Sequence, residues 1–342
     1  MPITTTQTGR PVATVLIVDD LASNLELIEA VFTSEGFNVV KAEHPRTAID
    51  KFEHYTPDIA VVDVMMPEID GFQLCQILKD MAGKNYFPII LLTALSDRSS
   101  RIKGIESGAD DFISKPFDHK ELVAKVRSLL KIKSLHDELE HSENIILTLA
   151  VALEARDPYT KGHSTRVGEL SREFSAFIGL TPHDQELVRK AGLLHDIGKI
   201  GLSESLLLKP APLSDEELTI IKQHPIIGEE ICKPLHSLKN ILPAIRHHHE
   251  RWDGLGFPDG LKGTEVPVHA RVLSIVDSFD AMLSERPYRE GRSYKNVLEL
   301  MNEEREMGQW DPQLLDYFIE MTAIMGEDIL LHNSRMIFNL KG

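Results

Sequence analysis

Histidine and aspartate recur through the second half of the chain in an order suited to divalent metal ions: His163, His195-Asp196, His224, His248-His249 and Asp277. Imidazole nitrogens and carboxylate oxygens together suit iron, manganese or zinc, and the lack of cysteine ligands disfavours a structural zinc site. Taken singly, a histidine is more often structural than a ligand, and a bare His-Asp dipeptide is weak evidence. The ordered series carries more weight, and the fifteen histidines of the chain crowd mostly into its C-terminal half. The run His247-His248-His249 is internal, so it is not an expression tag. Neighbours such as His195 and Asp196 do not share one helical face, but they can reach two adjacent metals with the carboxylate as bridge. Two metals about 3.5–4 Å apart lower the pKa of a shared water and clamp the oxygens of a phosphodiester during in-line attack.

A second polar set lies before residue 130: Asp19, Asp20, Asp63, Thr93 and Lys115. Any one of them alone reads as a turn residue or a helix cap. Together they are less easily dismissed, because each follows a short apolar run: Val15–Val18, Ile59–Val62, Ile89–Leu92 and Phe112–Ile113. Clustered carboxylates hold a hard cation such as Mg²⁺, which keeps waters and binds one or two carboxylates plus phosphate oxygens. Asp63 can accept a phosphoryl group as a nucleophile. Lys115 offers a cation for that group and Thr93 a hydroxyl.

The elements that must position these residues follow from periodicity. Leu25, Ile28, Val31 and Phe32 repeat at helical spacing until Gly36, and further helices start at Gly71 and Asp118. Apolar runs separated by helices predict an α/β domain, a doubly wound parallel sheet, over residues 12–130. In such sheets functional groups gather at the carboxyl ends of the strands, where these residues fall. The helix from Asp118 meets no breaker until Pro158, and Ile132, Leu135, Leu139, Ile146, Leu149 and Leu153 follow heptad spacing, with Ser142 as the polar exception. That seam suits a parallel homodimer through a connecting helix, 131–147, or packing onto the chain's own second domain. Residues 148–342 show no strand alternation and predict an all-α domain, with His247 to Glu250 closing one helix.

Composition sets outer limits. With 342 residues, 42% hydrophobic and 26% charged, the chain can build about two packed domains. A net charge of −16 and the lack of a basic recognition helix argue against DNA and against anionic membranes. Cys75 and Cys232 show no paired spacing, Met1 to Ala13 lacks an apolar core, and no stretch approaches a membrane span, so a cytoplasmic location is expected.

Residues 12–130, with VDD, DVMMP, LLTA and SKPF, resemble the receiver domain of two-component response regulators. The resemblance implies a five-stranded sheet, Asp63 as phospho-acceptor, Asp19 and Asp20 at Mg²⁺, Phe112 as the aromatic that changes rotamer, and a sensor histidine kinase as partner. Residues 148–342, with HDIGK, HHERWDGLGFPDGL and RPYR, resemble the HD-GYP subfamily of HD-domain phosphohydrolases. That resemblance implies a long helix ending at Asp277 and hydrolysis of cyclic di-GMP to pGpG and onward to GMP. It assigns His163, His195, Asp196 and Asp277 to one metal, with Asp196 bridging to a second held by His224, His248 and His249. Iron or manganese is the implied metal, and Lys199, Arg286 and Arg289 would face the substrate phosphates, with Lys199 aiding the leaving oxygen. Two positions depart from the pattern. Phe257 replaces the signature tyrosine, which bears on rate and on recognition of diguanylate cyclase domains. Tyr159 stands where some members carry a glutamate for a third metal, so two metals are expected. Competing expectations are an HD phosphohydrolase for another cyclic dinucleotide or nucleotide, and a catalytically weak nucleotide- or partner-binding module.

Overall fold

A computed structural model of the chain describes residues 12–83, 85–94, 103–154, 162–209, 211–284 and 292–326. The chain divides into two compact units, Met1–Glu140 and His141–Gly342.

In the first unit, strands β1 (Thr14–Val18), β2 (Asn38–Ala42), β3 (Ile59–Asp63), β4 (Ile89–Thr93) and β5 (Asp111–Ser114) form one parallel sheet in the order β2-β1-β3-β4-β5. Helices α1 (Ala22–Ser34), α2 (Pro45–Tyr55) and α3 (Gly71–Ala82) are the crossovers between the first four strands. Side chains alternate across a strand, so β1 sends Val15 and Ile17 to one face, where they meet Leu25, Ile28 and Phe32 of α1. Leu16 and Val18 go to the other face, against Leu74 and Leu78 of α3. Both faces are therefore dry, which is why the central strands read as unbroken apolar runs. β2 escapes that pattern. It is an edge strand with only Ala42 buried, and Lys41 pairs with Glu29 at 2.6 Å. A half-exposed strand interrupted by polar residues carries no continuous apolar signal.

α4 (His119–Glu154) is one helix of 36 residues. Ile132, Leu135, Leu139, Ile145 and Leu149 are exposed along it, whereas Ile146 packs against the core of the second unit. The second unit continues with α5 (His163–Phe177), α6 (Pro182–Leu194), α7 (Glu204–Leu207), α8 (Asp215–Ile221), α9 (His224–Cys232), α10 (Leu242–His247), α11 (Val268–Leu283), α12 (Tyr294–Glu306) and α13 (Pro312–Met325). Its core joins Phe174, Phe279 and Phe318, whose rings meet edge-on at 5.0–5.1 Å. α11 corrects the sequence expectation that this helix ends at Asp277. It runs on to Leu283, because Phe279 and Met282 keep the buried face going and no breaker intervenes.

Two close approaches shape the region that carries the histidines. α5 and α6 cross at Gly168 and Gly192, where a Cβ on Gly192 would stand 2.7 Å from the Cα of Gly168. The turn after α6 presses on α9 in the same way: a Cβ on Gly198 would lie 1.9 Å from the carbonyl oxygen of His224. Gly198→Ala is therefore expected to destabilise the second unit by about 3 kcal/mol, the upper range for overpacking. Thermal unfolding of wild type and variant measures it, and an unchanged midpoint would show that the turn yields freely.

Candidate metal centre and phospho-acceptor pocket

The break at the end of α6 solves the problem of the adjacent His-Asp pair. His195 keeps helical torsions at the helix end, whereas Asp196 leaves them and starts the 3₁₀ turn Ile197–Gly201. The two side chains are thereby aimed independently. His163 enters from the first turn of α5, His224 from the start of α9, His248 and His249 from the residues after α10, and Asp277 from the middle of α11.

Donor atoms of His163, His195 and Asp277 lie within 4.8 Å of one another, as do those of His224, His248 and His249. Asp196 faces both groups. Its Oδ2 lies 3.4 Å from His195 Nε2 and its Oδ1 lies 3.3 Å from His224 Nε2. Asp277 Oδ1 lies 3.1 Å from His163 Nε2 and 3.7 Å from His195 Nε2.

The backs of the imidazoles are pinned. Nδ1 of His195 donates to the Gly192 carbonyl at 2.7 Å, that of His224 to Ile221 at 2.8 Å, and that of His248 to Ile245 at 2.6 Å. Nδ1 of His163 donates to Asp280 Oδ2 at 2.7 Å. With Nδ1 so engaged, each ring presents Nε2 inward, the arrangement that hydrogen-bonded partners impose on metal-binding histidines. Two consequences test the fit to a metal. Nε2 of His195 is buried and has no hydrogen-bond partner. Nε2 of His224 and Nε2 of His248 face each other at 3.3 Å with their Nδ1 hydrogens already donated. The facing lone pairs of His224 and His248 are costly unless a cation satisfies them, so the donor set fits divalent metals.

The electrostatics divide the site. Burial opposes charge on His163, but Asp277 and Asp280 prevail and raise its pKa to about 10. His195 is likewise raised against its burial by Asp196 and Asp277. Burial lowers His248 well below the usual range and His249 to about 4. Near neutral pH, His163 thus holds a proton that a metal must displace, whereas His248 and His249 present lone pairs. Metal titration at pH 7 should release about one to two protons per chain, and affinity should weaken as pH falls. Calorimetry in two buffers of different ionisation enthalpy measures this; no proton release would contradict it.

Asp196 stays ionised although desolvation opposes its charge, because Lys199 and His195 outweigh that cost, and Lys199 Nζ donates to Asp196 Oδ2. Glu250 shapes the following loop by accepting from Asp259 N at 2.8 Å and Gly260 N at 3.1 Å. The loop lays Phe257 on His249, with centroids 4.8 Å apart and planes tilted by 30°, and Lys222 Nζ sits 5.5 Å from the Phe257 ring centroid. Arg286, Arg289 and Tyr159 lie outside the described residues.

Asp280 and Arg166 were missed in the sequence. Arg166 grips Asp280 with two parallel bonds, Nε to Oδ1 at 2.7 Å and Nη2 to Oδ2 at 2.9 Å. Each stands three residues after a site residue, Asp280 after Asp277 and Arg166 after His163, hence one turn away on the same helical face. That spacing was the available signal.

In the first unit, Asp19, Asp20 and Asp63 bring carboxylate oxygens within 4.8 Å of one another. Lys115 Nζ reaches Asp19 Oδ2 and Asp63 Oδ2, both at 3.0 Å. Asp19 also accepts from Leu21 N and Asn24 Nδ2, a contact not foreseen. Burial raises the pKa of Asp63 although Lys115 opposes it, and Asp63 Oδ1 is buried without a partner. Thr93 is buried at the end of β4, and the half-buried Phe112 ring occupies space beside Gly104, where a Cβ would lie 2.1 Å from Cε1.

Comparison with known proteins agrees with this division. The family model for the response regulator receiver domain matches residues 15–127, and that for the HD domain matches residues 148–314. The cyclic di-GMP phosphodiesterase response regulator RpfG of Xanthomonas campestris pv. campestris is 31% identical over 333 residues, 90% of this chain and 88% of that protein. A cyclic di-GMP phosphodiesterase of Thermotoga maritima is 33% identical over 336 residues, 90% of each chain. A 3'3'-cGAMP-specific phosphodiesterase of Vibrio cholerae is 35% identical over 161 residues, 47% of this chain and 35% of that protein.

Proposed function

Because the chain belongs to the response regulators that join a receiver domain to an HD domain, we propose that phosphorylation at Asp63 controls its hydrolysis of cyclic di-GMP to pGpG, GMP or both. The strongest single support is the opposed Nε2 pair of His224 and His248, a contact that calls for a cation. His163, His195, Asp196 and Asp277 would hold one metal, and His224, His248 and His249 the other, with Asp196 as bridge. Iron or manganese suits these nitrogen and oxygen donors. Such metals supply Lewis acidity toward a phosphodiester when bound.

The chain's own residues do the remaining work. Lys199, paired with Asp196 and one-third exposed, would donate to a phosphate oxygen and pass a proton to the leaving oxygen. Arg286 and Arg289 would hold the substrate phosphates, reversing locally the acidic charge of the whole chain. In the receiver, Asp19 and Asp20 would hold Mg²⁺ beside Asp63. Lys115 and Thr93 would bind the phosphoryl oxygens delivered by a phosphodonor such as a histidine kinase, and Phe112 would change rotamer. No helix among the described residues is long and apolar enough to cross a membrane.

The test is full-length protein loaded anaerobically with Fe²⁺ or Mn²⁺ and given cyclic di-GMP or 3'3'-cGAMP, with products separated by chromatography. Release of pGpG or GMP supports the proposal. Turnover of 3'3'-cGAMP alone would reassign the substrate, an outcome the Vibrio cholerae relative makes worth measuring. No turnover at full metal loading would favour a binding module, for which Phe257 in place of tyrosine is the relevant feature, and a diguanylate cyclase domain would be the partner to assay.

Of the heptad seam, Ile132, Leu135, Leu139 and Leu149 are exposed and support a parallel homodimer through α4, whereas Ile146 is taken by the core of the second unit. Leu135→Glu with Leu139→Glu should convert a dimer to monomer in light scattering at micromolar concentration. Strictly monomeric wild type after phosphorylation would refute the seam.

A further inference from the structure

The helix that carries the first metal ligand lacks a cap of its own. α5 starts after Gly162, a left-handed residue with φ 75° and no side chain to accept from the exposed N–H groups of the first turn. A carboxylate from another helix takes that place. Glu154, the last residue of α4 and buried, accepts from the backbone N–H of Ser164, the residue after His163. A negative charge there also suits the positive end of α5. Arg166, one turn further on, feels the charges of both Asp280 and Glu154. Its two bonds fix Asp280, and Asp280 in turn accepts from Nδ1 of His163. The end of α4 thus meets the first turn of α5 at the residue after His163, and the same turn carries the Arg166 that fixes the Asp280 partner of His163.

We propose that Glu154 is a positioning residue for the metal centre: from the last turn of α4 it caps the first turn of α5, and so holds in place both His163 and the Arg166 that fixes the Asp280 partner of His163. Displacement of that last turn then alters metal affinity on the His163 side, which gives the connecting helix a physical handle on the site. The inference rests on the two-metal assignment proposed above.

The experiment uses the full-length chain. E154A, E154Q and wild type are titrated with Mn²⁺ against a competing chelator, and their Co²⁺ complexes are compared by visible absorption, which reports ligand geometry apart from activity. Loss of a partner behind a metal-ligating histidine weakens binding about tenfold or more. In E154A one of two Mn²⁺ equivalents should loosen by about that factor while the other holds, with an altered Co²⁺ spectrum. E154Q keeps an oxygen acceptor for Ser164 and should lie closer to wild type. Should E154A fail to fold, E154D, which withdraws the acceptor by one methylene, carries the same comparison. Wild-type affinities and spectra in E154A, or in E154D if E154A does not fold, would overturn the inference alone. Wild type that binds no Mn²⁺ would overturn the metal assignment and the inference with it.

Discussion

Asp196→Ala is expected to abolish hydrolysis, with a fall in kcat of about a thousandfold or more, ~4 kcal/mol of transition-state stabilisation. Asp196 faces both clusters, at 3.4 Å from His195 Nε2 and 3.3 Å from His224 Nε2. Its removal costs each proposed metal a ligand and leaves clustered imidazoles without their shared negative charge. Lys199 simultaneously loses the carboxylate that holds it at the site. Metal analysis should therefore show at least one equivalent lost, while circular dichroism shows the helices retained. Hydrolysis at the wild-type rate by Asp196→Ala protein would remove the two-metal scheme from consideration.

Asp63→Asn should eliminate the response of the hydrolase to acetyl phosphate, beryllofluoride or a kinase while metal content stays the same. The carboxamide retains the shape of the side chain, but it is a poor nucleophile and forms no acyl phosphate. In wild type, Asp63 Oδ1 is buried and unpartnered, while Lys115 engages Oδ2 at 3.0 Å. That leaves one oxygen without a hydrogen bond and sets a cation beside the carboxylate for the charge that a phosphoryl group brings. The variant keeps Asp19 as a partner of Lys115, so the receiver should remain folded. The ratio of hydrolysis rates with and without phosphodonor is the quantity to compare. A ratio equal to that of wild type would place the switch at another residue.

Much of both sites is local, and local features are written in the residues. β1, β3 and β4 are dry on both faces, so their apolar runs and the acids or threonine that close them stand out without a structure. α4 lacks a breaker, and its length follows. β2 is obscure in the sequence because an edge strand buries little, and the helix expected to end at Asp277 runs on because Phe279 and Met282 extend its buried face.

The residue types of the candidate metal centre, and their order, can likewise be read from His163 to Asp277. Only tertiary structure decided how those residues are aimed. Which nitrogen of an imidazole faces inward depends on what its other nitrogen meets. For His163 that partner, Asp280, is 117 residues away. Periodicity reports the face a side chain occupies on its own helix. It carries no information on the crossing of α5 and α6 at Gly168 and Gly192, the seating of Gly198 against α9, or the carboxylate of Glu154 that caps a different helix. Those contacts arise between elements, and they exist because buried polar groups must find partners wherever packing brings them.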